Sequence, residues 1–233
     1  MVKIDIMTLF PEMCESFLNT SIIGRARKNG FIDLQCHQIR DFAYDKHKRV
    51  DDTPYGGGKG MVMLAQPIYE CFNHICKIRG TRPLVVYMSP KGRVLTQSLV
   101  KKLSFNFENI VILCGHYEGV DERVIEEIVD IQISIGDYVL TGGEIPALAL
   151  TDSICRLVPG VLSESVCFED ESHYNGLLEY PQYTKPAVWR GREVPEVLLS
   201  GHHANIEKWK TQKSLEATHK YRPDLLEYKD KML

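Results

Sequence analysis

Three short runs of apolar and β-branched residues constrain the fold of this chain most strongly, because each is too short for a helix and each ends at a turn that contains glycine. The runs are Leu84–Met88, Ile110–Cys114 and Ile131–Ile135. A stretch with helical spacing and Thr96 as its candidate N-cap lies between the first two runs, and another over 121–130 lies between the last two. This order of strands and helices predicts an α/β fold with a parallel sheet and right-handed crossovers.

The three glycine turns predict a ligand site at one edge of that sheet. They span Ser89–Gly92, Cys114–Gly119 and Ser134–Gly143, and each follows the carboxyl end of a predicted strand. Ligands bind beyond the carboxyl ends of parallel strands, where loops converge and helix N-termini present free N–H groups. The common occurrence of glycine in loops would explain any one of these turns, but it would not explain why all three fall at the same edge.

The rest of the chain divides into three predicted regions. Residues 1–160 form the α/β domain, with further strands over Val2–Met7 and Ile32–Gln38 and helices over Pro11–Asn19 and Pro67–Ile75. Residues 161–175 are predicted to be an exposed linker or lid, since the polar stretch Leu162–Asn175 has neither helical nor strand periodicity. Residues 176–233 are predicted to form a small helical domain, with helices over Val194–Leu199 and Ile206–Thr218 and with Ile206, Trp209 and Leu215 available for packing.

Composition argues against several classes of protein. The seven cysteines include no C-x-x-C pair, so neither a disulfide framework nor a zinc site is expected. No window approaches the roughly 18 consecutive apolar residues of a membrane span, and the N-terminus alternates like a strand. We therefore expect a soluble cytoplasmic protein without a signal peptide or a membrane partner.

The distribution of charge leaves room for a nucleic-acid partner despite the net charge of −3. Residues 25–49 carry seven Lys or Arg against three acids, residues 208–222 are basic again, and residues 118–144 hold eight acids and one arginine. Two basic segments could form a local phosphate-binding surface, although each could equally be an ordinary solvated face.

Two nucleotide-binding motifs are absent from the sequence, and the roles of the remaining glycine-rich segments are left open. Tyr55–Gly60 is not a phosphate loop, because Lys59 is followed by Gly60 rather than by Ser or Thr; it could approach a base or phosphate closely, or be a flexible surface loop. No G-x-G-x-x-G follows the first strand, which argues against a dinucleotide fold. The adjacent His202 and His203 favour a structural or RNA-contacting role over metal binding. The segment 134–146 interleaves glycines with apolar residues, which suits a loop that holds a flat aromatic ring.

Taken together, the motifs resemble those of the bacterial tRNA (guanine-N1)-methyltransferases, a family of the knotted SPOUT superfamily. The resemblance covers nearly the whole chain. It is carried by Asp5–Pro11, Asp51–Met61, Ser89–Arg93, Cys114–Arg123, Ser134–Pro146, Tyr180–Pro186, Ser200–His203 and Arg222–Leu226.

The resemblance implies a SPOUT-type parallel sheet with a deep trefoil knot that binds S-adenosylmethionine, followed by a helical tRNA-binding domain. It also implies a homodimer with the active site at the subunit interface, tRNA as the partner and no role for DNA. The implied cofactor residues are Tyr87, Met88, Ser89, Pro90, Gly92, Gly115, Tyr117, Glu118, Gly119, Ser134, Ile135, Gly136, Asp137, Tyr138, Val139, Leu140, Gly142, Gly143 and Pro146. Periodicity alone predicts an ordinary doubly wound sheet, since general topology rules treat knots as essentially absent.

The implied reaction is methyl transfer to N1 of the guanosine at tRNA position 37, immediately 3′ of the anticodon. Guanine N1 carries a proton at neutral pH, so a base must remove it as the methyl group approaches in line. An arginine can stabilise negative charge on the guanine O6. The family's arginine corresponds to Arg156, and its linker aspartate corresponds to Glu171 in an ungapped alignment, with Asp170 as the alternative base.

Smaller departures from the family pattern are Lys59, Lys91 and His116, which leave the backbone contacts to the cofactor intact and could tune RNA affinity. No protein metal ligands are expected, and whether Mg²⁺ takes part is left open. Two alternatives remain at this stage: a methyltransferase of the same scaffold that modifies another base or a ribose 2′-hydroxyl, and a non-catalytic RNA-binding protein.

Overall fold

The computed structural model describes residues 1–162 and 171–226, and the chain divides into two compact units, Met1–Glu164 and Ser165–Leu233. The strands of the first unit are β1 (Val2–Thr8), β2 (Ile32–Gln38), β3 (Asp51–Asp52), β4 (Val62–Met63), β5 (Leu84–Val94), β6 (Asn109–Cys114) and β7 (Ile131–Ser134). Its helices are α1 (Pro11–Leu18), α2 (Ser21–Lys28), α3 (Ala65–Arg79), α4 (Gln97–Asn106), α5 (Glu122–Ile128) and α6 (Glu144–Cys155).

The first unit is built on a parallel five-stranded sheet with the order β2-β1-β6-β5-β7. Helices α3 and α5 contact each other, and they share one buried cluster with the inward side chains Val85, Tyr87, Val111 and Leu113. Helix α6 contacts β1, β6, α1 and α4. Since successive side chains of a strand point to opposite faces, the sheet is covered by helices on both sides. The predicted α/β fold with a parallel sheet is confirmed.

The acidic residue Asp5 lies inside this core and has two polar partners, Arg79 and His37. Asp5 is 0% exposed in the middle of β1, where an isolated carboxylate would be strongly unfavourable. Arg79, from the last turn of α3, donates to both of its oxygens at 2.8 and 3.0 Å, and His37 of β2 lies 2.7 Å from Oδ1. Arg79 also bonds Asp33, so one guanidinium joins α3 to β1 and β2.

Most predicted elements of this unit are confirmed, and two helices were missed. Thr96 is the N-cap of α4, and its hydroxyl accepts a hydrogen bond from Leu99 N. Helix α2 was not predicted because its apolar pattern is only one turn long. Helix α6 was not predicted because the segment 134–146 was interpreted wholly as a loop, whereas the helix begins at Glu144.

The second unit contains a hairpin of β8 (Val188–Trp189) and β9 (Arg192–Glu193), the short helix α7 (Glu196–Leu199) and the long helix α8 (His203–Tyr221). Trp209 of α8 packs against Tyr180 and Tyr183, with ring centroids 6.4 and 6.3 Å apart. Leu215, predicted to be available for packing, is 45% exposed. The predicted linker falls largely on 163–170, outside the described residues, and the three-region division stays a prediction. Within the described ranges no helix has the length and apolar character to span a membrane.

Candidate active site

The three glycine turns meet around one cavity of about 360 Å³, which lies beside residues 89–92 of β5 and beyond the carboxyl ends of β6 and β7. This volume lies within the usual range of small-molecule sites, about 300–1,000 Å³. The predicted residues that line it are Tyr87, Met88, Ser89, Pro90, Gly115, Tyr117, Glu118, Gly119, Ser134, Ile135, Gly136, Tyr138, Val139, Leu140, Gly142, Gly143 and Pro146. Gly92 and Asp137 were predicted at the site but do not line the cavity.

The first turn is an excursion of β5 rather than its end. Ile133 of β7 pairs with Met88 and again with Arg93, so residues 89–92 leave the ladder and return to it. Gly92 lies behind this excursion, where an added Cβ would fall 2.4 Å from the backbone nitrogen of Ile133. Its role is therefore to let the excursion pack on β7, which explains why it is absent from the cavity wall.

The third turn folds back onto the second. Gly143 N donates to Gly115 O at 2.8 Å, and Gly142 forms an antiparallel bridge with His116. A Cβ on Gly143 would lie 2.7 Å from Cys114 Cα, so only glycine permits this approach without a backbone shift. Ser134 closes the start of the turn, since its hydroxyl donates to Gly136 O and accepts from Gly136 N. Asp137 is exposed on the outer side of this loop.

The cavity wall is apolar on one side and carries more negative than positive charge. Tyr87 is buried, and its hydroxyl lies so close to Gly115 that a Cβ there would be 2.8 Å away. Burial raises the pKa of the Tyr87 hydroxyl, and the nearby Glu122 raises it further, so this group stays neutral. Glu118 and Glu122 line the wall against a single cationic side chain, Lys91. Such a wall favours a ligand with apolar and cationic parts.

Sequence reasoning missed several residues of this wall. They are Val120, Glu122, Ile125, Gln132, Ile133 and Thr141, while Lys91 and His116 were noted only as departures from a pattern. Gln132 and Ile133 belong to the predicted third strand, and Glu122 and Ile125 lie on the helix after the second turn. Their positions next to the turns were the available signal.

The glycine loop Tyr55–Gly60 is joined to the second turn. Glu118 N donates to Met61 O at 3.0 Å, and Met63 N donates to Gly119 O at 2.9 Å. A Cβ on Gly60 would lie 2.5 Å from Glu118 Oε1. The loop therefore ends beside the cavity at Gly60, while its first residue, Tyr55, is fully exposed.

The candidate catalytic residues belong to different units of the chain. Arg156 directly follows α6, is partly buried and is not among the residues that line the cavity. Glu171 opens the described part of the second unit, and its carbonyl accepts a hydrogen bond from Tyr174 N. Asp170 lies outside the described residues. The structure thus leaves the roles assigned to Arg156, Glu171 and Asp170 as predictions.

The first basic segment is partly neutralised by its neighbours. Arg27 pairs with Glu15, Lys48 with Asp41 and Arg49 with Asp45. Over residues 1–162 and 171–226, no group of three or more His, Cys, Asp or Glu side chains is arranged to hold a metal ion, so the described residues give no support to a Mg²⁺ site.

Comparison with known proteins gives one consistent result. The family model described as tRNA (Guanine-1)-methyltransferase TrmD matches residues 2–228. Among similar curated proteins, the tRNA (guanine-N(1)-)-methyltransferase of Ruminiclostridium cellulolyticum is 58% identical over 96% of this chain and 96% of its own length. The proteins of the same name from Lachnospira eligens and Alkaliphilus oremlandii are 59% and 56% identical, over 95% and 96% of this chain and 94% and 91% of their own lengths.

Proposed function

Because the chain belongs to the tRNA (guanine-1)-methyltransferase family, we propose that it transfers a methyl group from S-adenosylmethionine to N1 of the guanosine at tRNA position 37. The observation that carries this proposal is the convergence of three glycine turns on one cavity beside β5 and beyond the carboxyl ends of β6 and β7. The family supplies the reaction, and the cavity supplies a place for the methyl donor.

The residues of the cavity fit S-adenosylmethionine in both shape and charge. Apolar side chains such as Ile133 and Leu140 suit the adenine ring, and the exposed backbone of the third turn suits its polar edge. Glu118 and Glu122 suit a ligand that carries a sulfonium and an ammonium group. When bound, the sulfonium supplies an electrophilic methyl group, while the turns of this chain orient it and exclude water.

Removal of the guanine proton and stabilisation of the negative charge that then develops need groups outside the cavity wall. A carboxylate within hydrogen-bond reach of guanine N1 would take its proton, a contribution of about 10²–10⁴-fold in rate. Glu171 is the preferred base and Asp170 the alternative. Arg156 would stabilise the negative charge that develops on the guanine O6.

The path of the chain around the cavity supports a trefoil knot in this fold. Residues 89–92 leave and rejoin the ladder with β7, and residues 142–143 pair with the loop that follows β6. Close contact between these loops is a requirement of a knotted cofactor site. The knot would hold the three turns in register without a bound ligand.

A homodimer is supported by apolar side chains that remain exposed on the first unit. Met13 and Phe17 of α1 and Ile145 of α6 are each more than a third exposed, and α1 and α6 contact each other. Exposed apolar groups on neighbouring helices indicate an interaction surface. In the dimer, the linker of one subunit would complete the site of the other, and sedimentation analysis of the purified protein tests this assembly.

Nucleoside analysis of the methylated product tests the reaction. Labelled S-adenosylmethionine and two tRNA transcripts are used, one with guanosine at position 37 and one with adenosine there. We expect N1-methylguanosine from the first transcript only. Methylation of a ribose or of another base would replace the proposal with the related scaffold activity, and no methylation with intact tRNA binding would indicate a non-catalytic RNA-binding protein.

The base is assigned with Glu171→Gln and Asp170→Asn, and Glu196→Gln serves as the matched control because it removes an exposed carboxylate of the same unit. The variant that lacks the base should lose about 10²–10⁴-fold in kcat, while the control keeps wild-type activity. Near-wild-type activity in both Glu171→Gln and Asp170→Asn would remove this mechanism.

A further inference from the structure

The hairpin β8–β9 carries a tryptophan that the described residues of its own unit leave more than half exposed. Trp189 is 58% exposed and its neighbour Val188 is 54% exposed, and every residue from 181 to 193 is exposed. Two cross-strand pairs, Val188 with Glu193 and Trp189 with Arg192, and one flanking hydrogen bond from Val194 N to Ala187 O hold the strands together. A large aromatic side chain on such a small hairpin contributes little to a core, so its position calls for another use.

The turn of this hairpin places arginine against the tryptophan ring. Arg190 and Gly191 have φ values of 53° and 74°, the combination of a two-residue type I′ turn. A left-handed conformation is unfavourable for arginine. In this conformation the Arg190 guanidinium carbon lies 5.0 Å from the centroid of the Trp189 ring, within cation–π distance.

A second guanidinium belongs to the same face. Trp189 and Arg192 are directly opposite in the ladder, and opposed residues of an antiparallel pair project to the same side. Among the described residues, no carboxylate forms an ion pair with Arg190 or Arg192. Residues 185–193 hold three cations and one carboxylate, although the whole chain carries a net charge of −3. The hairpin is thus a positively charged patch around one flat aromatic ring.

We propose that Trp189, Arg190 and Arg192 form a stacking site for an unpaired base of the tRNA substrate, an inference that rests on the proposed function. Trp189 would stack on the base, and the two guanidiniums would contact its flanking phosphates. Aromatic rings combined with arginine are the typical means of binding unpaired nucleotides, because every base has a π face and every nucleotide a phosphate. The positive charge of the patch favours a polyanion over a second copy of this acidic chain.

The test measures tRNA binding by the variants Trp189→Ala, Trp189→Phe and Arg190→Ala/Arg192→Ala, with Val188→Ala as the control. Val188 is equally exposed on the same hairpin but lies in the other cross-strand pair. We expect Trp189→Ala to raise the Kd and KM for tRNA by about 5- to 150-fold, the range for loss of one stacked base. The KM for S-adenosylmethionine and the kcat at saturating tRNA should change less than twofold. Phenylalanine should restore most of the affinity.

Two further measurements report on stacking and on charge. Trp189 and Trp209 are the two tryptophans of the chain, so a Trp209→Phe variant makes Trp189 the sole reporter. Its fluorescence should be quenched by tRNA. The double arginine variant should reduce the slope of log K against log salt by about 0.7 for each lost phosphate contact.

The outcomes separate this proposal from the proposed function. If the wild-type enzyme methylates guanosine 37 but Trp189→Ala binds tRNA as tightly as Val188→Ala, the stacking site is refuted and the function stands. If the wild type binds tRNA with quenching of Trp189 but does not methylate it, the function fails and the stacking site stands. A change in self-association rather than in tRNA affinity on Trp189→Ala would also overturn the proposal.

Discussion

Gly143→Ala tests whether the backbone contact between the second and third turns defines the cavity. An alanine Cβ at this position would lie 2.7 Å from Cys114 Cα and 2.8 Å from Gly115 N, both backbone atoms of the β6 terminus. Ordinary contact begins at 3.4 Å, so the turns must separate by about 0.7 Å. The φ of Gly143 is −82°, which alanine adopts freely, so the whole effect is steric.

The expected cost has a stability part and a functional part. Overpacking of this size destabilises by about 1–3 kcal/mol, and for a chain of this length each kcal/mol lowers Tm by about 2–4 °C. The same displacement moves one wall of the cavity relative to the other, and a misplacement near 1 Å costs on the order of 10²-fold in rate. We therefore expect kcat/KM for S-adenosylmethionine to fall about 10- to 100-fold.

Gly80→Ala is the matched control. Gly80 ends α3 with φ of 70°, and an added Cβ there meets no other atom. Alanine in this conformation costs about 1–2 kcal/mol, a similar loss of stability at a residue that does not line the cavity. Calorimetric titration with S-adenosylmethionine and thermal unfolding should show both variants destabilised, but only Gly143→Ala impaired in binding. Unchanged affinity and Tm in Gly143→Ala would refute the reasoning.

Two further predictions concern buried polar contacts of the first unit. Thr8→Val removes the 2.7 Å hydrogen bond to Glu144 Oε1. Because Glu144 is only 3% exposed, the free energy of unfolding, measured by urea denaturation, should fall by about 1–3 kcal/mol. Thr20→Val, at an exposed threonine, is the control, and an equal fall in both variants would contradict the prediction. Arg79→Met leaves the buried Asp5 without its cation and should cost about 3–5 kcal/mol at pH 7. Burial opposes ionisation of Asp33, but the hydrogen bonds from Arg79 and Gln35 and the positive charge of Arg79 together outweigh it and lower the pKa of Asp33 below its ordinary 3.8. That stabilisation is present above pH 3.8 and is lost as pH falls through the lower folded value, so the difference between wild type and Arg79→Met should shrink below about pH 4. A difference that is constant from pH 7 to pH 3 would show that the ion pair does not contribute.

The sequence was most informative where a single local rule decides the structure. The buried runs of β5, β6 and β7 and the N-cap Thr96 follow from apolar patterning and capping chemistry, and the structure contains them. Patterning failed at α6, because Gly142 and Gly143 precede it and suggested that the loop continues. Gly143 permits a close approach to the backbone of Cys114, and Gly142 a close approach to the side chains of His116 and Glu144. No periodicity within the segment encodes such contacts with a distant part of the chain.

The same distinction applies to the candidate site. Glycine turns at strand ends predicted the place of the cavity, but the individual wall residues were predicted from a family resemblance. Gly92 shows the limit of that resemblance. A residue can be essential to the shape of a site and yet face away from it, since Gly92 contacts the backbone of Ile133 rather than the cavity. Residues that relatives share therefore include both ligand contacts and packing positions, and the structure is needed to tell the two apart.

The residues of the cavity wall and the candidate bases lie in separate parts of the chain, so cofactor binding and proton removal can be tested separately. Among the described residues, those that line the cavity all belong to 87–146, on the three turns and on the strands and helices next to them, whereas both candidate bases lie at 170–171, beyond the last helix of the first unit. A site that binds its cofactor through the sheet alone should bind it equally well without the base. Glu171→Gln and Asp170→Asn should therefore keep wild-type affinity for S-adenosylmethionine even where methyl transfer is lost. A parallel loss of affinity would mean that the carboxylate holds the cofactor, and its role as the base would have to be abandoned.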